Sequence, residues 1–195
     1  MAPQENHPGR WSRPLRLLHL LLAISVTAQL ILGGVMDGPR PGRPESASFE
    51  IHEVLGFSIL ALIILHWWWS FTHPAEGVHH LFPWTRAGLR NVFRDFWRSV
   101  RHLRLPAGKP GEEGNLAGFT HGLGLLAITA VAVSGGLFFI LRLSGASRVL
   151  LHDVAELHGD VAVLAWTYWG GHLGVTVLHS LLRHPTFTQM FSLRD

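Results

Sequence analysis

The sequence contains no cysteine. That excludes disulfides, thiolate zinc sites, iron–sulfur clusters held by this chain, and covalent c-type haem, which needs a C-x-x-C-H attachment. Charge is also scarce. Asp, Glu, Lys and Arg make up 15% of the 195 residues, against about 25% in an average soluble domain. No G-x-G-x-x-G loop follows a strand pattern, so no flavin or nicotinamide site is indicated. The charges that are present collect in blocks between long uncharged stretches, the pattern of a chain whose surroundings alternate between lipid and water. The formal charge of +3 and the pI of 10.5 come mainly from arginines that flank apolar segments. Such placement indicates a membrane surface and no nucleic-acid partner.

What the chain has in plenty is hydrophobic length. Four apolar segments run over about 16–36, 51–71, 117–141 and 157–182. Each reaches the ~20 residues that a helix needs to cross a ~30 Å hydrocarbon layer. Strict apolar/polar alternation is missing, so these are helices rather than strands. Helices also pair every backbone polar group inside lipid. The expected fold is an all-α integral membrane four-helix bundle, a single transmembrane domain over 1–195. The first segment follows Arg10, Arg13 and Arg16 like a signal peptide. It is longer than a signal core and lacks a clean small-x-small cleavage site, so it reads as a retained helix.

Arginine and lysine counts set the expected orientation. Arg10, Arg13, Arg16, Arg86, Arg90, Arg94, Arg98, Arg101, Arg104, Lys109, Arg183 and Arg194 fall on one side, and Arg40, Arg43, Arg142 and Arg148 on the other. The first side is expected to be the cytoplasm, with both termini there, in a bacterial inner membrane. Trp67, Trp68 and Trp69 fit an aromatic belt at the inner end of the second helix. Between helices two and three, Leu89, Val92, Phe93, Phe96, Trp97, Val100 and Leu103 recur at helical spacing, with Arg90, Arg94, Arg98 and Arg101 mostly opposite. This predicts a cytoplasmic amphipathic helix over about 87–103, lying on the anionic lipid leaflet. A docking surface for a soluble partner is the alternative.

Histidine is abundant, with 14 residues, and ionisable side chains inside a membrane are costly and usually functional. His158 and His172 are 14 residues apart, which returns a helix to within ~40° of the same face after a rise of ~21 Å. They are therefore expected near opposite sides of the membrane, with room for two flat macrocycles between them. Four histidines can hold two irons, each gripped from two opposed helices. His52 opens the second helix at the depth of His158, so these two form the outer pair. His172 needs an inner partner, and depth alone leaves His19 or His66, since His52 and His66 are also 14 apart.

The chain resembles the bacterial cytochrome b561 family and the related b-type subunits of hydrogenases and formate dehydrogenases. The resemblance covers all four helices. It is carried by Leu17-Leu18-His19, by Ile51-His52-Glu53-Val54-Leu55-Gly56, and by the spacing from Leu157-His158 to Gly171-His172. It implies an inner-side ligand from the first helix, hence His19 with His172 and His52 with His158 as axial ligands of two haem b groups. His66 stands where the family often has Arg, and is a candidate contact to a haem propionate or to quinone; the bland alternative is a polar side chain reaching the interface. The resemblance further implies quinone near the inner haem. It also implies a donor on the other side, either a soluble redox protein or a larger dehydrogenase.

Several residues are expected to support such a site. Gly33-Gly34, Gly56, Gly124, Gly135-Gly136 and Gly170-Gly171 offer room for a macrocycle, or for close helix packing. Arg16 could serve an inner propionate, and Arg40, Arg43 or Arg148 an outer one. Of His121, His152, His179 and His184, interfacial solvation accounts for His121 and His179, with a proton relay to quinone as the functional option for His121. Two competing functions remain at this point: a metal-ion or proton transporter built on the intramembrane histidines, and a haem-binding anchor subunit of a larger dehydrogenase.

Overall fold

A computed structural model describes residues 12–39, 44–74, 77–102 and 115–181. All regular structure among them is helical: α1 (Arg13–Val35), α2 (Ala47–Thr72), α3 (Val78–Leu81), α4 (Arg86–His102), α5 (Asn115–Leu143) and α6 (Arg148–Leu181). The four long helices α1, α2, α5 and α6 are apolar and long enough to cross a membrane.

Local chemistry sets several boundaries. Ser46 caps α2, its hydroxyl accepting from the Phe49 amide at 3.3 Å, and Thr85 caps α4 through the Gly88 amide at 3.0 Å, each satisfying an orphan donor of the first turn. Ser147 does the same for α6 through the Leu150 amide at 3.3 Å. The fourth long helix consequently begins at Arg148, earlier than the apolar run near Leu157. Its first turns carry Arg148, His152, Asp153 and Glu156, which hide the helix from a hydropathy reading without opposing helix formation. Gly145 turns the chain from α5 into α6 with φ 73°, a left-handed conformation that glycine adopts at little steric cost. The short helix α3 had no periodic signal at all.

The chain forms two compact units. One comprises Leu18–Trp67 and Gly124–Leu173, and therefore contains most of each long helix. Within it the helices close a ring. Gln29 of α1 donates to the His52 carbonyl of α2 at 2.9 Å. The Trp67 indole of α2 donates to Thr129 of α5 at 3.0 Å. Ser134 of α5 meets His158 of α6 at 2.9 Å. The Trp169 indole of α6 donates to Thr27 of α1 at 2.9 Å. Each of these threonines spends its own hydrogen on the carbonyl four residues earlier, Thr27 on Ala23 and Thr129 on Leu125. The hydroxyl oxygen is thereby left to accept the indole. Ile63, 1% exposed, and the fully buried Ala165 sit inside, while Ile24, Ile64, Val133, Ile140 and Val163 point outward. An exterior this apolar is what a lipid surround selects, since lipid exerts no drive to bury such side chains.

The other unit comprises residues up to Leu17, Trp68–Leu123 and Gly174 onward. Here α5 lies so close to α3 that a Cβ at Gly118 would come within 2.3 Å of the His80 carbonyl oxygen. Trp84 donates to the Val78 carbonyl at 2.8 Å, and Trp69 stacks on His73 with ring centres 3.9 Å apart. Arg16 is buried in this unit, with 2% exposure.

Candidate functional site

Two pairs of imidazoles face each other in the first unit. The rings of His52 and His158 have centres 6.2 Å apart. Those of His19 and His172 have centres 6.3 Å apart, with ligating nitrogens within 4.8 Å of one another. An imidazole nitrogen bonds a transition metal at about 2.0–2.1 Å, so two opposed imidazoles on one ion have nitrogens ~4 Å and ring centres ~6 Å apart. Both pairs have that separation.

The His52–His158 pair borders a cavity of about 710 Å³, within the ~300–1,000 Å³ range of cofactor and small-ligand sites. Its walls are largely apolar, with Phe57, Leu60, Val131 and Phe138 among them, and Gly56, Gly135 and Gly136 contribute surface without side chains. Glycine also serves the histidines directly. A Cβ on Gly33 would lie 3.2 Å from His52 Cε1, and one on Gly135 would lie 3.1 Å from His158 Cε1. These two glycines thus make room for imidazole rings.

Hydrogen bonding distinguishes the two nitrogens of His158. Ser134 donates its hydroxyl hydrogen to the Val131 carbonyl at 2.9 Å, so toward His158 Nδ1 it can only accept. Nδ1 therefore carries the proton and Nε2 the lone pair, the arrangement of a metal-ligating histidine whose other nitrogen is held by a hydrogen bond. On His52, Nδ1 is buried and has no hydrogen-bond partner among the described residues. A buried polar atom left so costs about 1–3 kcal/mol. Donor chemistry, spacing and cavity all suit a planar metal-centred group.

A charge cluster stands beside this cavity. Arg142 of α5 reaches Glu45 at 2.5 Å and Glu53 at 2.9 Å, and lies over the rings of Phe49 and Phe139 at 5.4 Å and 5.6 Å. Arg142, Glu53, Arg148 and His152 all line the cavity. His152 also pairs with Glu156 at 3.3 Å on the exposed side of α6. At the His19–His172 level, Tyr168 stacks on His172 with ring centres 5.4 Å apart and planes 19° from parallel. Tyr168 fits there only because residue 124 is glycine, since a Cβ would fall 2.0 Å from its Cζ.

The remaining expected residues fall as follows. His66 is half-buried on α2, while the ring opposite His172 is that of His19. His121 turns its Nδ1 to the Ala117 carbonyl at 2.8 Å. Trp67, expected at an aromatic belt, hydrogen-bonds across to α5. Gly170 and Gly171 have nothing within 4 Å of where a Cβ would be. Arg40, Arg43, Leu103 and His184, and the His179 side chain, lie outside the described residues. Sequence reasoning missed Gln29, Ser134, Tyr168 and the Glu45–Arg142–Glu53 cluster. Each of the first three is a lone polar side chain in an apolar run, a signal that intramembrane cost makes worth reading.

Opposed imidazoles held between membrane-crossing helices, one pair beside a cofactor-sized cavity, define a class of integral membrane protein fit to hold a planar metal-centred group. The family model of the prokaryotic cytochrome b561 matches residues 10–193, and the chain belongs to that family. It is a membrane b-type cytochrome of electron transfer. Comparison with curated proteins and with solved structures found no match.

Proposed function

We propose that the chain binds two haem b groups, one between His52 and His158 and one between His19 and His172, and carries electrons across the membrane to or from quinone. The observation that carries the reading is the pair of ring separations, 6.2 Å and 6.3 Å, in a family of b-type cytochromes. His158 and His172 share α6 and are ~21 Å apart along it, which suits a relay with one station toward each membrane face. Bound iron supplies one-electron oxidation and reduction, and the protein's levers on it are axial ligand, burial and hydrogen bonding.

The chain's own residues have distinct tasks in this reading. Ser134 holds His158 in one tautomer and orientation. Gln29 fixes the α2 backbone at His52, and Tyr168 does the corresponding work on the ring of His172. Arg148, at the wall of the cavity, offers a cation to a propionate. The His52–His158 level faces the periplasm and the His19–His172 level the cytoplasm, as the arginine distribution favours. A lipid-soluble carrier reaches a site inside the membrane directly, and quinone at the His19–His172 level is the electron partner. The partner at the other level is a soluble redox protein or a dehydrogenase subunit.

The test is haem content and reducibility of the purified full-length chain. Two haem b per chain, both reduced by a quinol, is the expected result. A single haem per chain overturns the paired-site reading. Two haems that dithionite reduces and quinol does not overturn the quinone assignment.

A further inference from the structure

Helix α4 turns its apolar side chains away from the protein. At 100° per residue its side chains fall into three sectors. Gly88, Asn91, Val92, Asp95 and Ser99 share an arc of ~100°, and all five are buried or half-buried, with Val92 5% exposed. Leu89, Phe93, Phe96 and Trp97 occupy the next arc and stand in the open, Phe93 at 59% and Trp97 at 56% exposure. Arg86, Arg90, Arg94, Arg98 and Arg101 fill the third arc, adjoining the aromatic one, and are exposed as well.

This partition reverses the habit of a soluble amphipathic helix, which buries its apolar stripe and shows its polar side. Here mostly small and polar residues pack inward, and Leu89, Phe93, Phe96 and Trp97 stay exposed. The helix cannot itself be a span. Its 17 residues would cover only ~26 Å, and they include five arginines against a single aspartate, Asp95. An apolar strip beside an arginine strip is complementary to one environment, the boundary between acyl chains and anionic headgroups. Arg94, Arg98 and Arg101 also close with Trp97 around a shallow notch. Guanidinium groups bind phosphate through paired N–H bonds, and an indole favours the headgroup depth.

We propose that α4 docks on an anionic phospholipid leaflet, with Leu89, Phe93, Phe96 and Trp97 among the acyl chains and a lipid phosphate in the Arg94–Arg98–Arg101 notch. The docking depends on the membrane setting of the chain and is independent of how many haems it binds.

The absence of native cysteine makes a site-specific test clean. Spin labels are placed on the full-length protein at Phe93→Cys and, as a reference within the arginine sector, at Ala87→Cys. Both are read in nanodiscs of phosphatidylcholine, with and without one third phosphatidylglycerol. With phosphatidylglycerol, the label at 93 is expected to collide with oxygen and escape a water-soluble nickel reagent, and the label at 87 to do the opposite. Neutralising Arg90, Arg94, Arg98 and Arg101 to Gln should lower the docked-to-undocked ratio about fivefold per arginine. Amide exchange over 86–99 in the unsubstituted protein gives a second readout that needs no variant, and should slow when phosphatidylglycerol is present. Equal access of the nickel reagent to both labels overturns the proposal, as does docking of equal strength on pure phosphatidylcholine. Spin–spin broadening at 93 that appears only with two chains per disc assigns the surface to a second copy and overturns it too.

Discussion

The Ser134 hydroxyl of α5 accepts the Nδ1 proton of His158 on α6 across 2.9 Å, and its own hydrogen goes to the Val131 carbonyl. The Ser134 hydroxyl, together with the Val131 carbonyl beside the ring, thus leaves Nε2 of His158 available to a metal. Ser134→Ala should leave the chain folded and weaken haem retention at that level about 10- to 100-fold, the usual cost of removing such a support. Its midpoint potential should also rise, because the ligand becomes a poorer donor. Redox titration with haem quantification reads both effects, and Ser134→Thr should restore them.

His158→Ala and His172→Ala should each halve the haem content, and the haem that remains should differ between the two variants in potential. His19→Ala should match His172→Ala, whereas His66→Ala should keep both haems. The measurement is a pyridine haemochrome assay per mole of chain, followed by redox titration. Full haem occupancy in His19→Ala would return His66 to the inner pair.

Gly124→Ala places a methyl where Tyr168 now lies, 2.0 Å from Cζ. Overpacking of this kind typically costs about 1–3 kcal/mol, and it should loosen the ring stacked on Tyr168, that of His172. Thermal denaturation in detergent should show the loss. Tyr168→Ala added to Gly124→Ala should recover part of it, since the clash disappears while the stacking does not return.

Arg142 joins two carboxylates that come from the loop before α2 and from its second turn. Arg142→Gln leaves Glu45 and Glu53 facing each other, and should cost about 1.5–3 kcal/mol, the range for hydrogen bonds to charged groups. Glu53→Gln in the same chain should relieve part of the cost. A double-mutant cycle by thermal denaturation measures this coupling.

The four spans were legible because lipid imposes a length that apolar runs must meet, and the histidines because charge-bearing side chains are rare in those runs. Depth alone already paired His52 with His158, and in the structure their ring centres stand 6.2 Å apart. It could not choose between His19 and His66, because the 14-residue period repeats on α2 and α6 alike; only packing decides which ring stands opposite His172. The contact of Trp67 was hidden for a related reason. A tryptophan near the end of an apolar run suits the interface by composition, yet its N–H finds Thr129 across the helix boundary. The start of α6 was hidden because Ser147 caps a helix whose first turns are polar. Gly33, Gly124 and Gly135 were visible as small residues, but which neighbour each admits depends on contacts between helices that no single run encodes.

Helix α6 carries both His158 and His172 and runs between them without a proline or a break. A continuous helix resists stretching, because lengthening it means breaking backbone hydrogen bonds. The rod therefore acts as a ruler: tilting or sliding in the bilayer moves both marks together and leaves the interval between them unchanged.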